Sequence, residues 1–331
     1  MSILKERLSA VQLERVEFEP DEPPGLMFTM REVVQSAGEL EIDLVNAITG
    51  KIIQPEEDDY TPRSHKDGQK CKRNKEWAHG EWLEDLNFWK KKAGELVPIH
   101  LVPAAERRKM VRIFRVYRYK RFKEPFDLRF KVRNVADGSK QKSGWTMTYS
   151  PVCKNTTIRL FFALAAYYGM EVYGSDLDQA FLQVNHKKPV YCYLPDNFKD
   201  QNGKLVDRKY FCLKVLKNLY GFDEAPKGLF DFMCEKLLKL GFIRSDHDPG
   251  LFYRMGKGEF TLCTVYVDDV NVGSTKKGAA AQVIADLEKL GVELSLERNP
   301  KRYVGYRIQY YKNGDISLDT YLFGGQLIKL D

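Results

Sequence analysis

The chain has 331 residues, 43% hydrophobic and 30% charged, with a formal net charge of +7. That is long enough to bury a core and too apolar for disorder throughout. No run approaches the ~18 consecutive apolar residues of a membrane helix, and Met1-Ser-Ile-Leu-Lys-Glu-Arg7 lacks the apolar stretch of a secretory signal, so a soluble intracellular protein is expected. Six cysteines, at 71, 153, 192, 212, 234 and 263, stand far apart without a C-x-x-C pair. This argues against a zinc site or a disulfide scaffold and for reduced, mostly core thiols. Residues 1–50 carry 4 basic and 10 acidic side chains, a balance of −6, whereas residues 101–150 carry 14 basic and 4 acidic, a balance of +10. The basic stretch points to a polyanionic partner or, more simply, to a solvated charged face.

In chain order, residues 19–25 (Glu19-Pro-Asp-Glu-Pro-Pro-Gly25) form a turn-rich break, and residues 54–75 are a polar run with almost nothing to bury. Residues 1–75 therefore read as an N-terminal extension ending in a charged, flexible linker, partly disordered. From Trp77 the pattern is globular: residues 77–89 show helical spacing, and residues 110–119 alternate as a strand with Arg112, Arg115 and Arg118 interleaved. Asn155 is placed to cap a helix that runs to Gly169. A strand is expected over 171–177, a helix or turn over 178–183, and another strand over 190–194. An amphipathic helix fits 227–240, closed by Gly241. Strands at 260–267 and 270–272 flank a tight turn, a helix follows over 278–290, and residues 302–311 and 316–318 form a hairpin across Asn313-Gly314. The order is α+β, with helices set against an antiparallel sheet.

The chemistry gathers at Val265-Tyr-Val-Asp-Asp-Val-Asn-Val272, where two adjacent carboxylates interrupt an apolar run. Adjacent acids repel one another and resist burial, so the pattern needs a cause. A hairpin turn is one, because Asp is common there. A metal site is the other, in which a divalent cation cancels the repulsion and takes the oxygen ligands it prefers. Asp176 adds a third acid at the end of a candidate strand, 92 residues before Asp268. Carboxylates from neighbouring strand ends can hold two metal ions about 3.5–4 Å apart for in-line phosphoryl displacement. Asp178, two residues on, suits helix capping.

Six segments in order then resemble the reverse transcriptases of copia-type (Ty1/copia) retrotransposons, between about residues 77 and 308. Lys131-Val-Arg-Asn-Val-Ala-Asp-Gly-Ser-Lys-Gln141 is similar to the family's basic K-A-R-L-V-A-R-G-F-Q-Q segment, and Ser150-Pro-Val precedes the helix carrying Thr157-Ile-Arg. Asp176-Leu-Asp-Gln-Ala-Phe-Leu182 resembles D-V-x-x-A-F-L, and Leu219-Tyr-Gly-Phe-Asp-Glu-Ala-Pro226 resembles L-Y-G-L-K-Q-A-P. Gly241-Phe, Ser245, Asp248-Pro249 and Leu251-Phe252 follow G-F-x-x-S-x-x-D-P-x-L-F, and Tyr266-Val-Asp-Asp269 is the signature box. Tyr303-Val-Gly-Tyr306 is a weaker match to Y-F-L-G-I.

The resemblance implies a right-hand polymerase fold: fingers and palm over 76–311, an antiparallel palm sheet with helices on one face, and the start of a thumb or connection over 312–331. With Asp331 only 23 residues after Ile308, most of the thumb is expected to be missing, with no room for an RNase H domain. Asp176, Asp268 and Asp269 fall on the family's catalytic carboxylates, the first two as direct ligands of two Mg²⁺ ions, or Mn²⁺ in their place, and Asp269 as an auxiliary. Bound ions would lower the pKa of the primer 3′-hydroxyl and stabilise the leaving pyrophosphate. Phe181 falls where an aromatic closes off the ribose 2′ position, or is an ordinary core aromatic. Tyr220 and Gly221 match the stretch backing the incoming nucleotide, with Gly221 admitting the ligand. Lys131 and Arg133 match positions that meet the triphosphate, although a generic backbone contact fits a basic segment as well. Arg112, Arg115 and Arg118 are expected to contact nucleic-acid phosphates, and Tyr303 and Gly305 to support the primer end. The implied partners are an RNA or DNA template with its primer and deoxynucleoside triphosphates, without a membrane, in the cytoplasm and/or nucleus.

Three departures from the family's pattern stand out, two of which make the nucleotide surface more acidic. Asp223-Glu224 replaces Lys-Gln, Gly228-Leu229 stands where a small residue and Trp are usual, and Asp137 replaces a common Arg. Besides an RNA-directed DNA polymerase, two other readings stay open: a catalytically weak nucleic-acid-binding remnant of a retrotransposon polyprotein, and a metal-dependent nuclease or other nucleotidyltransferase using the same acids.

Overall fold

The computed structural model describes residues 60–120, 129–141, 148–256 and 258–319. The extension over 1–59 and the chain end over 320–331 lie outside the described residues. Residues 60–75, on the linker side of the boundary read at 75/76, pack onto the next helix. A single helical turn, His65–Gly68, is capped by Ser64, and His65 Nδ1 lies 2.8 Å from Glu81 Oε1.

Helix α1 (Asn74–Lys90) realises the spacing read at 77–89, yet the face it buries is Trp77, Gly80, Glu81, Glu84, Asp85 and Phe88. Acids three and four residues apart share one helix face. That face rests on a five-stranded sheet made of β1 (Gly94–Pro98), β2 (Val111–Tyr119), β3 (Phe130–Ala136), β5 (Asn185–Tyr193) and β6 (Phe211–Lys217), in the order β1-β6-β5-β2-β3. Within it β2 and β5 pair in parallel, and the other neighbours pair antiparallel. Gly80 permits the close fit, because a Cβ there would stand 2.3 Å from the Phe130 carbonyl oxygen.

Helix α2 (Asn155–Tyr167) leads into β4 (Glu171–Asp176), an antiparallel member of a six-stranded sheet. The others are β7 (Ile243–Arg244), β8 (Leu251–Gly256), β9 (Glu259–Tyr266), β10 (Asp269–Ser274) and β11 (Glu297–Arg298), in the order β11-β4-β10-β9-β8-β7. One face packs on α3 (Ala225–Lys239) and α4 (Ala279–Lys289), where Leu229, Met233, Val283 and Leu287 meet Cys263, Val265 and Val270. The other holds Phe161 and Phe162 of α2 against Leu262, Tyr303 and Tyr306. A strand covered on both faces reads as an unbroken apolar run, which is the pattern at 260–267. A small third sheet joins β12 (Arg302–Tyr303), β13 (Tyr306–Tyr310) and β14 (Ile316–Asp319).

Three expectations are corrected. Asn155 is not a cap; Lys154 holds that position without a side-chain bond, and its backbone N–H donates to Asp248 Oδ2 at 2.9 Å. Buried Asp248 also takes the Gly250 N–H, so the Asp-Pro segment braces the start of α2. Residues 302–311 are not one strand, because Val304 and Gly305, at φ +45 and +79, fold a turn between β12 and β13. Helices cover both faces of the six-stranded sheet rather than one. Among the described residues no helix is long and apolar enough to cross a membrane, and the six cysteines are free, five of them buried.

Candidate active site

Strand β4 ends and strand β10 begins at one edge, where Asp176 and Asp269 are direct register partners. Asp269 is also opposite Tyr266 across the β9–β10 hairpin, so Val267 and Asp268 form the two-residue turn. Val267 lies at φ +55, a region that β-branched residues rarely enter. The Leu177 N–H donates to the Asp268 carbonyl at 2.9 Å and locks the turn to the end of β4. From the other side the Asp176 N–H donates to Ser295 Oγ, and the Ser295 N–H to the Asp176 carbonyl, both at 3.0 Å. Sequence reasoning misses Ser295, since a pairing across 119 residues leaves no local signal.

Burial raises the Asp268 carboxyl above the usual carboxylate range; Asp176 adds to the rise, while its own N–H, Lys131 and Arg133 oppose it. Burial, reinforced by Asp268 and Asp176, pushes Asp269 up to about 7. Strand β3 supplies the basic side. Burial beside Arg133 and Lys120 brings Lys131 down to about 8, with Asp176 near enough to oppose that fall. The Arg133 guanidinium stands 5.4 Å from the centroid of the Tyr220 ring, which meets Phe181 edge-on at 4.6 Å. The fold thus gathers Asp176, Asp268, Asp269, Lys131, Arg133, Tyr220 and Phe181 around one sheet end.

The remaining candidates are placed differently. Phe181 is 2% exposed and belongs to the large core, so its core role is real whatever else it does. Gly221 is required by φ +89 and by the backbone of β3: a Cβ would lie 2.0 Å from the Ala136 carbonyl. Its close neighbour is therefore β3. Arg112 and Arg118 are exposed, and Arg118 is the register partner of Lys131. Arg115 is 6% exposed and pairs with Asp85 at 2.9 Å, so it cannot reach a phosphate. Strand side chains alternate with period two, and a spacing of three turns Arg115 away from its neighbours. Tyr303 is also buried, its hydroxyl 3.1 Å from Thr264 Oγ1, leaving only the Val304-Gly305 turn to meet a partner.

The carboxylate edge suits a hard divalent cation in its donor set, which is all oxygen, and in the like-charge crowding that a cation would relieve. Among the described residues no group of three His, Cys, Asp or Glu side chains is arranged to hold a metal ion by itself. Mg²⁺ seldom relies on an all-protein cage, keeping waters and substrate phosphates alongside one or two carboxylates.

The family model described as "Reverse transcriptase (RNA-dependent DNA polymerase)" matches residues 99–330, and the chain belongs to that family. Its relatives make it a copia-type retrotransposon member. It is 30% identical over 165 residues to the Retrovirus-related Pol polyprotein from transposon TNT 1-94 of Nicotiana tabacum, covering 49% of this chain and 12% of that one. Against the Retrovirus-related Pol polyprotein from transposon RE1 of Arabidopsis thaliana it is 34% identical over 144 residues, 43% and 10% of the two chains. The putative transposon Ty5-1 protein of Saccharomyces cerevisiae is 28% identical over 143 residues, 43% and 44%. The chain spans about a tenth of the length of the two plant polyproteins (12% and 10%).

Proposed function

We propose that residues 76–311 are the fingers and palm of an RNA-directed DNA polymerase that adds deoxynucleotides to a primer 3′ end. The observation that carries this reading is the pairing of Asp176 with Asp269 at one sheet end, with Asp268 in the adjoining turn and Lys131 across from them. The six-stranded sheet is then the palm and the five-stranded sheet the fingers. Asp176 and Asp268 would hold two Mg²⁺ ions, or Mn²⁺, with Asp269 as an auxiliary. Bound Mg²⁺ supplies a lowered pKa at the primer 3′-hydroxyl and charge neutralisation at the leaving pyrophosphate. Lys131 faces the triphosphate, Tyr220 backs the incoming nucleotide, and exposed Arg112 and Arg118 contact template–primer phosphates.

The test is primer extension by the purified chain on oligo-dT/poly-rA with Mg²⁺ and labelled dTTP, wild type beside Asp268→Ala. Extension by the wild type and its loss in the variant are expected. A second reading, a nucleic-acid-binding remnant that turns over poorly, is favoured by the acidic departures Asp137, Asp223 and Glu224 from the family's basic or neutral residues. A folded wild-type chain that binds the duplex without extending it would establish that reading instead.

A further inference from the structure

Glu84 lies on α1, outside every motif quoted above, and is 5% exposed. Its Oε1 accepts the Asn134 N–H at 3.0 Å, and its Oε2 takes Arg133 Nη1 at 3.3 Å. Arg133 is thereby committed on one side to a buried carboxylate and on the other to the face of Tyr220. Tyr220 in turn stands edge-on against Phe181 and is the more exposed ring of the two. On the polymerase reading a nucleotide sugar lies against this ring pair, and Tyr220 is the ring with surface to offer it. The stack's outermost ring is fixed by a guanidinium, and the guanidinium by Glu84. A planar cation over an aromatic face is held by the ring quadrupole, and its geometry matters more than its charge alone.

We propose that Glu84 is a positioning residue for the nucleotide pocket: by fixing Arg133 over Tyr220 it sets how strongly the site prefers deoxyribonucleotides to ribonucleotides. This rests on the polymerase reading and extends it to a residue that touches neither nucleotide nor metal. Without the Glu84 charge, Arg133 turns toward the anions at the end of β4, Tyr220 loses its cover, and the sugar pocket loosens.

The experiment measures kcat and KM for dTTP and UTP on the same primer–template with wild type, Glu84→Gln, Arg133→Lys and Glu81→Gln. The same preference is read as Kd on a dideoxy-terminated primer, where no chemistry is needed. Glu84→Gln keeps an acceptor for the Asn134 N–H and loses the charge. Arg133→Lys keeps the charge and loses the planar cover. Each is expected to lower the dTTP/UTP preference about tenfold, the factor that 1.4 kcal/mol makes, mainly through KM, and the double variant no further. Glu81→Gln, on the same buried helix face, is expected to leave the preference unchanged, whereas a merely structural role would weaken both nucleotides alike. Equal preference in all four chains, or equal loss with Glu81→Gln, overturns the role of Glu84 while leaving the polymerase standing. A folded wild-type chain that neither extends nor binds nucleotides overturns both.

Discussion

Acids gather in two places in this molecule, and the two are built on opposite terms. On α1, Glu81, Glu84 and Asp85 are each answered: Glu81 by His65 and the Tyr117 hydroxyl, Glu84 by Arg133, and Asp85 by Arg115 and the Asn134 amide. At the end of the six-stranded sheet, Asp176, Asp268 and Asp269 are crowded against one another, and burial, reinforced by the two neighbouring acids, raises the Asp269 carboxyl. A buried acid with its counter-charge is architecture, and removing the partner is what hurts. Acids whose repulsion is only partly relieved, here by Lys131 and Arg133, mark a place where something else brings the charge. Acid density alone does not separate the two; the location of the cations does.

The sharpest way to break the contrast is Asp268→Ala. Primer extension should fall about 10⁴-fold or more, the scale on which members of one catalytic unit fail, while the thermal midpoint holds or rises. A variant that keeps extending would remove this sheet edge from catalysis. Next is Arg115→Ala, which strands Asp85 in the core and should cost about 3–5 kcal/mol in urea unfolding; a loss below about 1 kcal/mol would mean that the α1 interface is not held by its charges.

The third concerns pH. Asp269, raised to about 7 in the fold, keeps its proton after the unfolded chain, with a pKa near 4, has given its own up. The contribution of Asp269 to metal-free stability is therefore full below about pH 4 and is lost as pH rises to about 7, on the order of 4 kcal/mol. Asp269→Asn should flatten that slope in denaturation series run in EDTA, and a parallel slope would count against a raised Asp269 carboxyl. The smallest effect is expected from Arg112→Ala with Arg118→Ala. The salt dependence of duplex binding should weaken by about 0.9 in slope for each phosphate that is no longer neutralised, with no change in melting.

Much of the six-stranded sheet is legible in the sequence because its signals are local. An apolar run broken by two acids, a strand ending at Asp176, and helices stopped by Gly169 and Gly241 can each be seen within a short window. The five-stranded sheet is harder. Strands β1 and β6 pair residues more than a hundred positions apart, for example Gly94 with Val215, and short apolar runs do not announce such partners. The buried face of α1 reads as apolar because Glu84 and Asp85 look solvated until Arg115 and Arg133 arrive from another element. Counting parity along β2 turns Arg115 inward from sequence alone. Tyr303 reads as a support for the primer end and is instead buried in the protein's own packing, while Gly221 is already required by the backbone of β3.

Val267 carries a consequence of a different kind. A valine at φ +55 costs about 1–3 kcal/mol, and glycine or asparagine would recover most of it. Selection for heat tolerance alone would accept either, and would turn the stiff corner that aims Asp268 and Asp269 into a hinge. On the polymerase reading, thermostability and turnover would pull in opposite directions at this one position.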